Sequence, residues 1–153
     1  MASRRVDEER RPRRWPRFQE LAWFRYQLRK FLRFSERAAR SAGVTPQQHQ
    51  LMLGIAGFTG KGWATISELA EFLQERHNAV VGLVERARRA GLVTKHAATQ
   101  DRRVVRVELT PRGRRVLARL SAIHHSEIRR FQKRAPGAGL PSGGTHTQRT
   151  KGF

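Results

Sequence analysis

The chain of 153 residues contains no cysteine. That absence excludes disulfide scaffolds, cysteine-type zinc fingers and thiol-based redox sensing. Acidic side chains are scarce as well: 12 Asp and Glu stand against 32 Lys and Arg, for a formal net charge of +20. The longest apolar-looking run, Leu51 to Phe58, is interrupted by Gly54 and Gly57. It falls far short of the ~20 residues that a membrane span needs. The N-terminus is basic but has no apolar core or cleavage site behind it, so no secretion signal is read and a cytoplasmic protein is expected. A phosphate-binding glycine loop, paired carboxylates at a plausible pocket and a serine on a strand-to-helix elbow are also missing, so no catalysis is expected.

A chain of this length is one ordinary domain, large enough to bury most of its apolar surface without metal or disulfide help. The positive charge runs along the whole of it and is densest over residues 112–134, which suits a polyanionic partner. The plainer alternative is a solvated basic surface. Residues 1–16, rich in Arg and Pro, read as a flexible basic arm. Next, Leu21, Phe24, Leu28, Phe31, Ser35, Ala38 and Ala42 alternate three and four residues apart, the seam of a helix packed lengthwise against other helices. Arg25, Arg29, Arg33 and Arg37 line another face at i, i+4 and repel one another unless anionic groups lie near.

Gly43 closes that helix, and Thr45-Pro46-Gln47-Gln48 opens another with a capping box and a proline at its first position. This second helix carries Leu51, Met52 and Ile55 inward. Gly57 to Gly62 is expected to be a loop, with Trp63 just before the next helix. His49 and His77 are expected on helix surfaces. Val116, Leu117, Leu120, Ile123, Ile128 and Phe131 mark a final long helix, and residues 135–153, without periodicity, read as a disordered tail.

Thr65 to Pro111 is the most informative stretch. Thr65-Ile66-Ser67-Glu68 is a second capping box, followed by Leu69, Ala70 and Leu73 at helical spacing. After Gln74-Glu75-Arg76 the pattern resumes with Val80, Leu83, Val84 and Ala87, then stops at Gly91, the residue best suited to a left-handed C′ position. From Leu92 the period becomes twofold. Leu92 to His96 reads as one strand, Ala97 to Arg102 holds the turn, and Val105, Val107 and Leu109 mark a second strand. Thr110-Pro111 then caps the last helix. The expected fold is mainly α with a small β-hairpin wing: a winged helix-turn-helix over residues 45–111, flanked by helices over 17–44 and 112–134.

The segments "ISELAEFLQERHNAVVGLVERARRAGLV" and "DRRVVRVELTPRGRRVL" resemble the multiple-antibiotic-resistance regulator (MarR) family of bacterial winged-helix transcription factors. The wing signature Asp101-x-Arg103, then Val107-x-Leu109-Thr110-Pro111-x-Gly113, matches position by position, and the resemblance covers roughly Phe18 to Lys133. The lack of cysteine excludes the family's cysteine-oxidation subgroup. The resemblance implies a homodimer, here through Leu21, Phe24, Leu28, Phe31, Leu117, Leu120, Ile123, Ile128 and Phe131. The family usually adds an apolar helix where this chain has its polar tail, which implies a smaller dimer or heavier reliance on Phe18 to Ala42.

In a helix-turn-helix the second helix enters the major groove of double-stranded DNA. That assigns base reading to Arg76, His77, Asn78 and Ala79, with Val81 and Gly82 one turn later. Arginine pairs with guanine, asparagine with adenine, and Val81 can touch a thymine methyl. Gly82 is costly inside a helix, and a close backbone approach to the groove or a plain packing reason can explain it equally well. The resemblance implies that Arg103 enters the minor groove while Asp101 orients it; the alternative is a solvated turn salt bridge. Lys95, Arg102 and Arg106 are candidates for phosphate contacts.

The expected function is therefore that of a sequence-specific regulator, as a repressor on a pseudo-palindromic operator. The rival is a non-specific or architectural nucleic-acid binder in which the charge dominates. No cofactor is expected; the resemblance implies a small aromatic or phenolic effector in a cleft between the dimer helices and the reader. Trp15, Trp23 and Trp63 can line such a cleft or serve a core or interface role. His124, His125 and Glu127 cluster on the last helix, as a metal site or, more simply, as surface or interface polar residues.

Overall fold

Both capping boxes form, and each sets the start of a helix. In the computed structural model, which describes residues 16–97 and 104–134, Thr45 Oγ1 accepts from the Gln48 amide while Gln48 Oε1 accepts from the Thr45 amide. The pair opens α2 (Pro46–Leu53), which follows the long α1 (Pro16–Ser41) after a turn with Gly43 at a left-handed φ of 79°. Thr65 and Glu68 repeat the device at α3 (Ile66–Leu73). Then come α4 (His77–Arg89), the strands β2 (Val93–Ala97) and β3 (Val105–Leu109), and α5 (Pro111–Arg134). The expected arm over residues 1–15, the tail over 135–153, Trp15, and the turn with Asp101, Arg102 and Arg103 lie outside the described residues.

The segment expected to be a loop is partly regular. Gly54–Phe58 continues α2 as a π-helical turn, and Trp63–Thr65 forms a strand, β1. The hairpin is therefore a three-stranded antiparallel sheet in the order β1-β3-β2, with Ala64 opposite Val107 and Lys95 opposite Val107 on the other side. A three-residue strand is too short to display a twofold pattern, so only its partner β3 reveals it. Gly54 is required by packing: a Cβ there would come within 2.7 Å of the Phe72 ring, so its absence lets α3 press against the π turn.

One core joins these elements. Leu51, Met52 and Ile55, from α2 and the π turn, meet Leu69 of α3, Val80, Val84 and Ala87 of α4, Leu92, and Val93 and Val107 of the sheet. Leu117 and Leu120 of α5 belong to the same cluster. This corrects their assignment to the dimer seam: they are buried by their own chain and offer nothing to a second one. Ile123 remains exposed, and Ile128 and Phe131 are half-buried.

The histidine expected on the α2 surface is also corrected. His49 is 1% exposed, its ring 4.9 Å from that of His124 between centroids. His124 turns inward from α5, with Nδ1 2.7 Å from the Leu120 carbonyl oxygen and Nε2 2.8 Å from Ser35 Oγ of α1. Phe31 and Phe34 of α1 meet the His124 ring edge-on. His49 Nδ1 is buried without a hydrogen-bond partner. Burial, reinforced by the neighbouring His124, pushes the His49 imidazole down to about 4. His125 and Glu127 point elsewhere, to the Ser121 carbonyl and to Arg130, so the histidine cluster read from the sequence is split between core and surface.

Candidate nucleic-acid interface

The interface is built from the start of α4 and the elements that aim it. Glu68 is held at the base of α3 by the Thr65 amide at 2.9 Å and by Lys61 Nζ at 2.8 Å. Partial burial alone would raise its carboxyl, but the Lys61 ammonium and the Thr65 cap outweigh this and keep it below the usual range. At the far end of α3, Gln74 takes a left-handed conformation with φ 53°, and its amide bonds back to the helix. This stop turns the chain through Glu75 and Arg76 into α4. A glycine would have signalled the turn in the sequence, and glutamine does not.

Helix α4 divides cleanly into two faces. Val80, Leu83, Val84 and Ala87 are buried, whereas Arg76, His77, Asn78 and Ala79 are exposed and Val81 is 42% exposed. Arg76 occupies the N-cap position without a side-chain cap, which leaves its guanidinium unused there. The residues assigned to base reading thus sit in the first turns of one helix, with Ala79 turned toward α1 and α2. His77 and Val81 also border a cleft of about 330 Å³ against the sheet, together with Ser67, Lys95 and Val105.

Two expected phosphate contacts are engaged within the chain. Lys95 Nζ lies 3.4 Å from Glu85 Oε2, in a network where Arg88 reaches the same carboxylate at 2.7 Å and Arg89 at 3.6 Å. Hydrogen bonding from Arg88 is the main reason that the Glu85 carboxyl falls to about 2. Arg106 is the clearer correction. Its guanidinium lies 4.3 Å from the Trp63 ring centroid, Lys61 Nζ approaches the same ring at 4.4 Å, and Arg106 Nε is buried without a partner. Two cations thus meet one indole, and Arg106 is a stacking partner of β1. The missing signal was the strand itself, because Trp63 sits next but one to Arg106 across the β1–β3 ladder only once that ladder exists.

The wing is fastened to α5 by the motif at its end. Thr110 Oγ1 donates to the Gly91 carbonyl at 2.6 Å and accepts from the Gly113 amide at 2.9 Å, while the Thr110 amide donates to the Leu92 carbonyl at 3.0 Å. A Cβ on Gly113 would overlap the Leu92 carbonyl oxygen. The Thr-Pro-x-Gly sequence therefore clamps the end of α4, both strands and the start of α5 at one point.

A second cleft, of about 360 Å³, lies between α1, α2 and α4, lined among others by Leu32, Glu36, Gln50, Leu73 and Arg86. Neither described tryptophan borders it. Trp23 is exposed on α1 beside Tyr26, with ring centroids 5.5 Å apart, and Trp63 lies in the sheet.

Residues 42–104 match the family model of the MarR family. No curated protein matches the chain. Among solved structures, a MarR family transcription regulator shares 24% identity over 77% of this chain and 76% of its own, with a TM-score of 0.67. AbsC, a MarR family transcriptional regulator from Streptomyces coelicolor, shares 20% identity over 80% of this chain and 86% of its own, with a TM-score of 0.65. A variant of S. aureus MepR bound to an oligodeoxyribonucleotide shares 17% identity over 75% of this chain and 83% of its own, with a TM-score of 0.60. The resemblance read from the sequence is borne out over residues 42–104, which match the family model, and the described chain has the winged-helix fold of the solved MarR family transcription regulators.

Proposed function

We propose that the chain is a sequence-specific regulator that binds double-stranded DNA as a homodimer and represses by occluding a promoter. The observation that carries this reading is the outward face of α4: polar and small residues stand clear of the core on the second helix of a helix-turn-helix. The DNA-bound MepR variant, which has the same fold, supports the choice of partner. Arg76 and Asn78 are assigned to guanine and adenine edges and Arg103 to the minor groove, with Asp101 orienting it and Arg102 on phosphate. Lys95 joins the phosphate contacts by exchanging Glu85 for the backbone, whereas Arg106 serves the wing by holding Trp63.

The second protomer is assigned to the exposed apolar side of α1, where Phe18, Leu21, Phe24, Leu28 and Leu32 are between 39% and 62% exposed, with Ile123 of α5. A twofold dimer pairs two half-sites about one helical turn, ~10 base pairs, apart. The cleft between α1, α2 and α4 is the assigned effector site, of a size that takes a single aromatic ring.

The test is selection of bound fragments from genomic DNA, followed by salt titration on a selected and a random duplex. Specific recognition gives a ratio of at least roughly 10³ between the two. Parallel loss of both affinities with salt, at a ratio near one, identifies a backbone binder and overturns the proposal.

A further inference from the structure

The row of arginines along α1 finds no anion within its own chain. Arg25, Arg29, Arg33 and Arg37 are exposed at i, i+4 spacing, and among the described residues none of them forms an ion pair. Glu36, the carboxylate in the same stretch, goes to Arg40 at 3.9 Å, and Lys30 stands 5.4 Å from the Tyr26 ring centroid. The basic side chains beside the wing are answered differently: Arg88, Arg89 and Lys95 share Glu85. Like charges one turn apart disfavour a helix, so the row on α1 carries a cost that nothing in the described chain offsets.

The row also faces away from the reader. With 3.6 residues per turn, Arg29, Arg33 and Arg37 lie opposite Ser35, Ala38 and Ala42, through which α1 packs on α2 and α5. Helix α2 in turn covers the buried side of α4. The cleft that α1 shares with α4 is lined by Leu32, Ser35 and Glu36, and by none of these arginines. A duplex seated on the outward face of α4 therefore has α2 and the core between it and the row. Arg33 and Arg37 are turned from Leu28 and Leu32 as well, the side assigned to the second protomer.

Resting on the DNA-binding reading of α4 and going beyond it, we infer that the outer face of α1 is a second binding surface, which takes the phosphate backbone of another DNA duplex and so joins two segments. From Arg29 to Arg40 the basic side chains follow the helix axis for about 17 Å, a straight line of charge that suits the regular phosphates of a duplex. Guanidinium groups fork onto phosphate oxygens, and such contacts hold DNA of any sequence. On this side of α1 the rings of Trp23 and Tyr26 stop short of Arg29, so the row lacks the interleaved apolar side chains that a bilayer surface requires.

The test uses the full chain, loaded on an immobilised duplex selected as above, and measures capture of a labelled random duplex over a range of salt. Wild type is expected to capture it. The triple variant Arg29→Gln, Arg33→Gln, Arg37→Gln should load the selected duplex within about twofold of wild type, capture the second at least about tenfold less, and lower the salt slope of capture by about three. Its thermal midpoint should hold or rise, because the repulsion is relieved. Arg115→Gln, Arg119→Gln, Arg129→Gln makes the same change of net charge on the exposed side of α5 and should capture as wild type does. Equal capture by wild type and the α1 variant, an equal loss in both variants, or row-dependent binding of phosphatidylglycerol vesicles in place of the duplex overturns the inference and leaves the reading of α4 standing. Failure of the wild-type chain to select any duplex overturns that reading, and this inference with it.

Discussion

The two halves of α1 put one spacing to opposite uses. Leu21, Phe24 and Leu28 lie in the same three-four register as Ser35, Ala38 and Ala42, yet the first three are exposed and the last three are buried or half-buried. Residue size separates them. Ser35, Ala38, Ala39 and Ala42 let α2 and α5 approach closely, whereas the bulky first half extends beyond what its own chain covers. A regular apolar stripe therefore specifies that a helix is covered, without specifying which chain covers it.

The contrast can be broken from either side. The largest effect belongs to Leu120→Ala, on the helix that the packed half lies against: loss of a fully buried leucine should cost about 2–5 kcal/mol in urea unfolding. The packed half also carries a pH signature. Because the folded-state value of His49 lies below that of an unfolded histidine, the unfolded chain takes up the proton first. Stability is then full above about 6.5 and declines as the pH falls toward about 4, by at most ~1.4 kcal/mol per pH unit. Urea midpoints measured from pH 7.5 downward should separate wild type from His49→Gln, whose curve is flatter. Ser35→Ala removes the hydroxyl facing His124 Nε2 and should cost about 1 kcal/mol at neutral pH.

Smallest on folding and sharpest for the comparison is Leu28→Glu in the exposed half. Under conditions that keep the protomers apart, its unfolding midpoint should stay within about 0.5 kcal/mol of wild type. Sedimentation equilibrium at higher concentration should show weakened self-association, because the change buries a charge against the second copy. If the mass distribution is unchanged, the second protomer sits elsewhere.

Much of the reader was legible because its signals are local. A threonine hydroxyl reaching an amide three residues on, a glycine at φ 69° after α4, and the alternation of Val105, Val107 and Leu109 each depend on a few neighbouring residues. The Thr110-Pro111-x-Gly113 motif could be recognised locally, while the Leu92 carbonyl that makes Gly113 necessary could not. Arg106 and Lys95 looked free for phosphate because Trp63 and Glu85 reach them only through the β1–β3 ladder and the α4–β2 contact.

Alone, the order of residues determined where helices start and stop, which strands alternate, and which side of α4 is polar, since caps, turns and periodicity act over a few residues. Tertiary structure decided that Leu117 and Leu120 serve their own core, that His49 and His124 meet inside it, and that Gly113 lies against the Leu92 carbonyl. Those outcomes depend on surfaces brought together from distant parts of the chain, and burial is a property of the assembled neighbours, which no single segment carries.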